Sequence, residues 1–63
     1  MDIDRLKKLL LQPELQVYTV VVMAQRDLAK DNLRSAMNRL RVDADKFHDQ
    51  PELYQMILDY FTK

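Results

Sequence analysis

Few side chains in this sequence could do covalent chemistry. The 63-residue chain has one histidine, His48, one serine, Ser35, two threonines, Thr19 and Thr62, and no cysteine. Nucleophilic catalysis needs a nucleophile, a base in hydrogen-bond reach of it, and a third group to orient that base. His48 beside Asp49 has instead the pattern of a helix start or a surface histidine. Asp43 and Asp45 fall in an expected turn, where carboxylates bond the local backbone. We therefore expect no enzyme activity and no catalytic residue. The absence of cysteine and of a second histidine removes thiolate and His-pair metal sites. No metal or cofactor is expected.

The charged residues offer a different chemistry. Ten bases balance ten acids overall, but the two are segregated along the chain. Between residues 26 and 41 the bases are Arg26, Lys30, Arg34, Arg39 and Arg41, against Asp27 and Asp31. From residue 43 onward Asp43, Asp45, Asp49, Glu52 and Asp59 outweigh Lys46 and Lys63. Arg26, Lys30 and Arg34 recur every four residues, and Asn38 and Arg41 continue the row. On a helix this is a ridge that could track phosphates. It is also the pattern of a solvated helix face, or of one that pairs with the acidic C-terminal segment, with Asp27 and Asp31 three residues before Lys30 and Arg34 to relieve repulsion. No aromatic residue interleaves with these bases, which argues against base stacking. The segment also lacks the glycine-containing turn of a helix-turn-helix motif.

The third candidate is the C-terminal segment, residues 51–63. Its polar residues Glu52, Gln55, Asp59 and Thr62 form one narrow stripe at helical spacing. Leu53, Tyr54, Met56, Ile57, Leu58, Tyr60 and Phe61 make the remainder apolar or aromatic. A helix at the edge of a small monomer normally carries an apolar arc of little more than 100°. The excess suggests a helix with one side on its own core and the other on a partner. Tyr54, Ile57, Leu58 and Phe61 are the expected contact set.

These candidates must be positioned by the elements upstream. Residues 15–28 are the most apolar and should be central. Val17, Tyr18, Thr19, Val20, Val21 and Val22 suit a buried strand, yet nothing else in the chain reads as a ladder partner. A helix is favoured, because Val17, Val21, Ala24 and Leu28 share one face. Pro13 and Glu14 suit its first turn, which puts the helix at residues 13–30. Residues 1–12 read as a short amphipathic helix on the face Ile3, Leu6, Leu10. Asp31 is a fair N-cap, so a break there is favoured over one helix of about thirty residues on the face Tyr18, Val22, Ala29, Leu33, Ala36 and Leu40. Leu33, Ala36, Leu40, Ala44 and Phe47 continue the pattern, with fraying expected at residues 41–45. Asp49 and Glu52 have capping-box spacing around Pro51.

The tetrapeptide Gln-Pro-Glu-Leu occurs twice, at residues 12–15 and 50–53. No other repeat positions match, so the echo reads as two copies of a helix-start signal.

The expected fold is all-α: a single domain over residues 1–63, with three or four helices in a small bundle. A chain this short buries only about 60% of its unfolded surface, and no disulfide or metal is available to staple it. Dimerisation is the expected remedy. The longest apolar run, residues 20–24, is far too short to cross a membrane. Residues 1–12 do not resemble a secretory leader, so a cytoplasmic setting is expected. The function expected is a small interaction module, such as an adaptor, co-chaperone or inhibitor, that binds another protein through the apolar C-terminal helix. The alternative is a dimeric nucleic-acid-binding regulator using Arg26, Lys30, Arg34 and Arg41.

Overall fold

Asp2 starts the first helix, its carboxylate accepting a hydrogen bond from the Arg5 backbone N–H at 3.0 Å. This is the computed structural model of the chain, which describes residues 2–62. Helix α1 (Ile3–Leu10) has Asp4 in its first turn and Lys7 and Lys8 in its last, complementing the dipole. It buries Leu6 and Leu10, while Ile3 stays on the surface.

The expected helix over residues 13–30 begins later than its proline signal. Pro13–Leu15 forms a single 3-10 turn, and α2 spans Thr19–Ala29. Tyr18, between them, is extended (φ −92°, ψ 120°). Val17, expected in the core, is 78% exposed. The reason is helical phase. At 3.6 residues per turn, one continuous helix would turn Leu15 about 120° away from Val21 and put it opposite Ala24. Interrupting the helix lets Leu15 enter the same core as Val21, Ala24 and Leu28. It also lets the Tyr18 ring stand edge-on to Phe47, with centroids 5.5 Å apart. The buried-strand reading is excluded: the described residues contain no strand.

The chain does break near Asp31. Asp31 itself takes a left-handed conformation (φ 58°). Its N–H bonds the Leu28 carbonyl at 3.0 Å, and the Asn32 N–H bonds that of Asp27 at 2.8 Å. This is a Schellman helix end, with aspartate where glycine is usual in a chain that has none. The N-cap of α3 (Leu33–Val42) is therefore Asn32, not Asp31. Its side-chain oxygen accepts from the Ser35 N–H at 3.2 Å. The single long helix is excluded by the same turn.

Helix α3 buries Ala36, Met37 and Leu40. It ends before Phe47, which enters the core from a separate 3-10 turn, Ala44–Phe47. Helix α4 (Pro51–Thr62) starts with its proline. The residue before it, Gln50, accepts the Tyr54 N–H at 2.9 Å through its carbonyl. Asp49 is one residue too early for the capping-box role, and the Glu52 carboxylate is used elsewhere, by Arg5.

The four helices close a ring. The contact of α2 with α3 is the most extensive, and α3 also packs on α4, α4 on α1, and α1 on α2. Two glutamines, Gln16 and Gln25, donate side-chain hydrogen bonds to the Leu10 carbonyl, the latter at 2.8 Å. They satisfy an acceptor that the end of α1 leaves open. Among the described residues, twelve hydrophobic side chains form the core, Phe47 the largest of those fully buried. The chain exposes 4348 Å², and folded monomers of this mass expose about 4300 Å². One chain thus encloses its own core.

Candidate interaction surface

Helix α4 is two-faced, and its faces can be assigned residue by residue. Leu53 and Ile57 are fully buried. Met56, Tyr60 and Phe61 pack partly against the core from either side of them. Glu52, Gln55, Asp59 and Thr62, the polar stripe of the sequence, are all exposed. Leu58 is the departure from this order: it is 41% exposed on a helix otherwise seated on the core. Tyr54 and Phe61, half-buried, lie one turn before and after it. Of the expected contact set, Tyr54, Leu58 and Phe61 therefore share a surface stripe. Ile57 faces inward and offers nothing to a partner of the folded chain.

The expected basic row does not form one ridge. The turn at Asp31 reverses the chain after Lys30, so Arg26 and Lys30 lie at the end of α2, and Arg34 in the first turn of α3. All three are exposed, on either side of the turn that joins α2 and α3. Arg41 is two turns away at the other end of α3. Its guanidinium stands 5.0 Å from the centroid of the Phe61 ring. The two candidate surfaces thus meet at one cation–π contact, a link that neither sequence pattern contains.

Arg39, omitted from the row because of its spacing, ties the hairpin together. Its Nε donates to Asp27 Oδ2 at 2.8 Å, and the Ser35 hydroxyl donates to the same oxygen at 2.9 Å. The Arg39 hydrogen bond, helped by Ser35, holds the Asp27 carboxyl below the ordinary carboxylate range against the opposing effect of burial. Ser35 is thus a structural hydroxyl. His48 is exposed, with Nδ1 2.8 Å from the Asp45 carbonyl. Asp43 lies 3.6 Å from Lys46 in the same turn.

A second ion pair joins the first and last helices. Arg5 donates through Nε and a terminal nitrogen to the two oxygens of Glu52, the second contact at 2.6 Å. The Arg5 hydrogen bond lowers the Glu52 carboxyl from its ordinary value, and the Arg5 guanidinium is correspondingly raised. Beside this pair, α1, α3 and α4 leave a groove of about 820 Å³. Leu33, Met56 and Tyr60 form its floor, and Asp2, Glu52 and Asp59 its rim. Nothing in the sequence pattern marks the groove, because its walls come from three distant segments.

Among the described residues, no group of three His, Asp or Glu side chains stands close enough to hold a metal ion. No helix among them is long and apolar enough to cross a membrane. No family description, curated protein or solved structure matches this chain.

Proposed function

We propose that the protein is a small non-enzymatic interaction module that binds another protein through the outer stripe of α4: Tyr54, Leu58 and Phe61. The observation that carries this reading is Leu58, a large aliphatic side chain 41% exposed between two half-buried aromatic rings. Arg41, stacked on Phe61, extends the stripe with a residue type enriched at interfaces. Aromatic and arginine anchors around a central aliphatic residue are the composition from which a few side chains supply most of the binding energy. The mechanism is burial of one helix face in a partner's groove. The module is an adaptor or inhibitor in this sense: it acts by occupying a surface, not by chemistry.

Site-specific photo-crosslinking tests this reading. A benzophenone side chain in place of Leu58 should give one discrete adduct in an extract of the source cells, and the same group in place of exposed Lys7 should not. The purified partner should then bind the unmodified chain, and Leu58→Asp should weaken that binding at least tenfold. Equal labelling from both positions, or an unaffected titration, would overturn it.

A second reading rests on the turn between α2 and α3, with Arg26, Lys30 and Arg34 exposed on either side of it. It makes the protein a nucleic-acid-binding regulator. Fluorescence-anisotropy titration of labelled duplex DNA and structured RNA at low and high salt separates the two. Phosphate binding collapses as salt rises, whereas burial of an apolar stripe does not. Absence of binding at low salt would remove this second reading.

A further inference from the structure

The groove between α1, α3 and α4 is separate from the outer stripe of α4, and its charge is one-sided. Three carboxylates, Asp2, Glu52 and Asp59, stand on its rim against one guanidinium, Arg5. Arg5 is paired through two hydrogen bonds with Glu52. Asp59 accepts from the Gln55 amide at 2.8 Å and Asp2 from the backbone of α1, so neither has an ion-pair partner among the described residues. The floor of Leu33, Met56 and Tyr60 is half-buried and apolar.

Complementary charge follows the groove floor along the chain. Leu33 belongs to the groove floor and also to the first turn of α3. The next residue is Arg34, and Lys30 and Arg26 lie just before the turn, all exposed. At this tip Arg26, Lys30 and Arg34 outnumber Asp31, with Asp27 taken up by Arg39, as the acids outnumber Arg5 in the groove. An acidic half and a basic half thus flank a shared apolar residue. A surface of that kind is complementary to itself under a two-fold rotation.

We propose that a second copy of this chain occupies the groove, in a weak isologous dimer that sets Arg34 and Lys30 of each protomer against Asp59 and Asp2 of the other. The area needed points the same way. A standard stable interface takes about 800 Å² per partner, roughly a fifth of the 4348 Å² that this chain exposes. The floor alone is too small for that, so the charged flanks must be covered as well. Because each chain encloses its own core, the dimer is an association of folded monomers, and electrostatics governs its strength. The proposal is independent of the function assigned to Tyr54, Leu58 and Phe61.

The test is sedimentation equilibrium of the intact chain up to about 1 mM, a concentration that detects millimolar dissociation constants. Dimer should be present at low salt and weaken at least several-fold at about 1 M salt, where the Debye length falls to about 3 Å. Asp59→Arg alone and Arg34→Asp alone should each weaken the dimer about tenfold or more, because each sets like charges opposite one another twice. Both positions are exposed, so circular dichroism should show both variants folded. An equimolar mixture of the two variants should recover the dimer, since every altered charge then meets its opposite. The double variant should recover it too. A monomer at every concentration at low salt would overturn the proposal. So would a dimer that tolerates both single reversals, or single reversals that the mixture does not rescue. A dimer that Leu58→Asp dissolves and Asp59→Arg leaves intact would also overturn it, and would place the self-contact on the outer stripe of α4 instead.

Discussion

The two Gln-Pro-Glu-Leu segments have the same four residues and different fates. At residues 12–15 the tetrapeptide makes one 3-10 turn. At residues 50–53 it opens the twelve-residue helix α4. In both, the leucine is buried and the proline is the first helical residue. The segments even touch, Gln12 Nε2 donating to Gln50 Oε1 at 3.1 Å. What differs is the phase of the next core residue. Leu53 is followed four residues later by buried Ile57, on the same helix face. Leu15 is followed six residues later by Val21, which a continuous helix would carry about 120° away from it. A local signal starts a helix, and the spacing of what must be buried decides whether it continues.

The largest effect that could break this comparison lies just beyond the first copy. Val21 is completely buried at the centre of the ring. Val21→Asp should abolish the cooperative thermal transition followed by circular dichroism, because an unpaired carboxylate would have to enter the core. A folded Val21→Asp would mean that α2 is peripheral, and that Leu15 had no reason to leave its helix.

The leucines of the two copies give the next largest effect. Leu53→Ala should cost about 2–5 kcal/mol in urea unfolding, from lost burial and the cavity left behind. Leu15→Ala should fall toward the lower end of that range, since a turn collapses around a cavity more easily than a long helix. If Leu15→Ala costs nothing measurable, the two copies do not both serve the core.

Between these elements, the turn at Asp31 allows a gain in stability. A residue other than glycine in the left-handed region is strained, by about 1–2 kcal/mol for a general side chain and less for Asp or Asn. Asp31→Gly should raise the urea midpoint by the equivalent of up to about 1 kcal/mol, net of the extra freedom that glycine has when unfolded. A lower midpoint would show that the Asp31 side chain does more than occupy the turn.

The smallest effect separates the glutamates of the two copies. Glu52 pairs with Arg5, and Glu14 is exposed. The pair is half in solvent, so its contribution is small. Its sign is nevertheless fixed. The Glu52 carboxyl is lowered in the folded chain, so it binds a proton less readily there than when unfolded. Its stabilisation is present above the ordinary carboxylate range and disappears as pH falls through the lowered value. Glu52→Gln should therefore lower the melting temperature slightly at neutral pH and leave it unchanged in strong acid. Glu14→Gln should change it at neither. Asp27, lowered by Arg39, adds a loss of stability in the same acid window.

The all-helical class was legible because periodicity survives local errors. Val21, Ala24 and Leu28 share a face whether α2 begins at Pro13 or at Thr19. The polar stripe of α4 was legible for the same reason. The start of α2 was not, because propensity cannot tell which of Leu15 and Val17 the core will accept. At Asp31 the break was legible and its chemistry was not: without a glycine, nothing marks a Schellman turn. The candidate surface was half legible. Tyr54, Leu58 and Phe61 follow from helical spacing, but Ile57 lies inside, since only the packing of α1 and α3 decides which apolar arc of α4 is taken. Arg41 against Phe61 and Arg39 against Asp27 join residues from separate helices, and a one-dimensional pattern does not record them.

Helix α4 holds the fold with one face and is proposed to leave the other open to a partner. Adjacent residues test it: thermal unfolding of Ile57→Asp and Leu58→Asp, followed by circular dichroism at one pH. Ile57→Asp should lose its cooperative transition, while Leu58→Asp should keep one within a few degrees of the parent chain. If Leu58→Asp unfolds the protein as completely as Ile57→Asp, the outer stripe is core and the proposed binding surface does not exist.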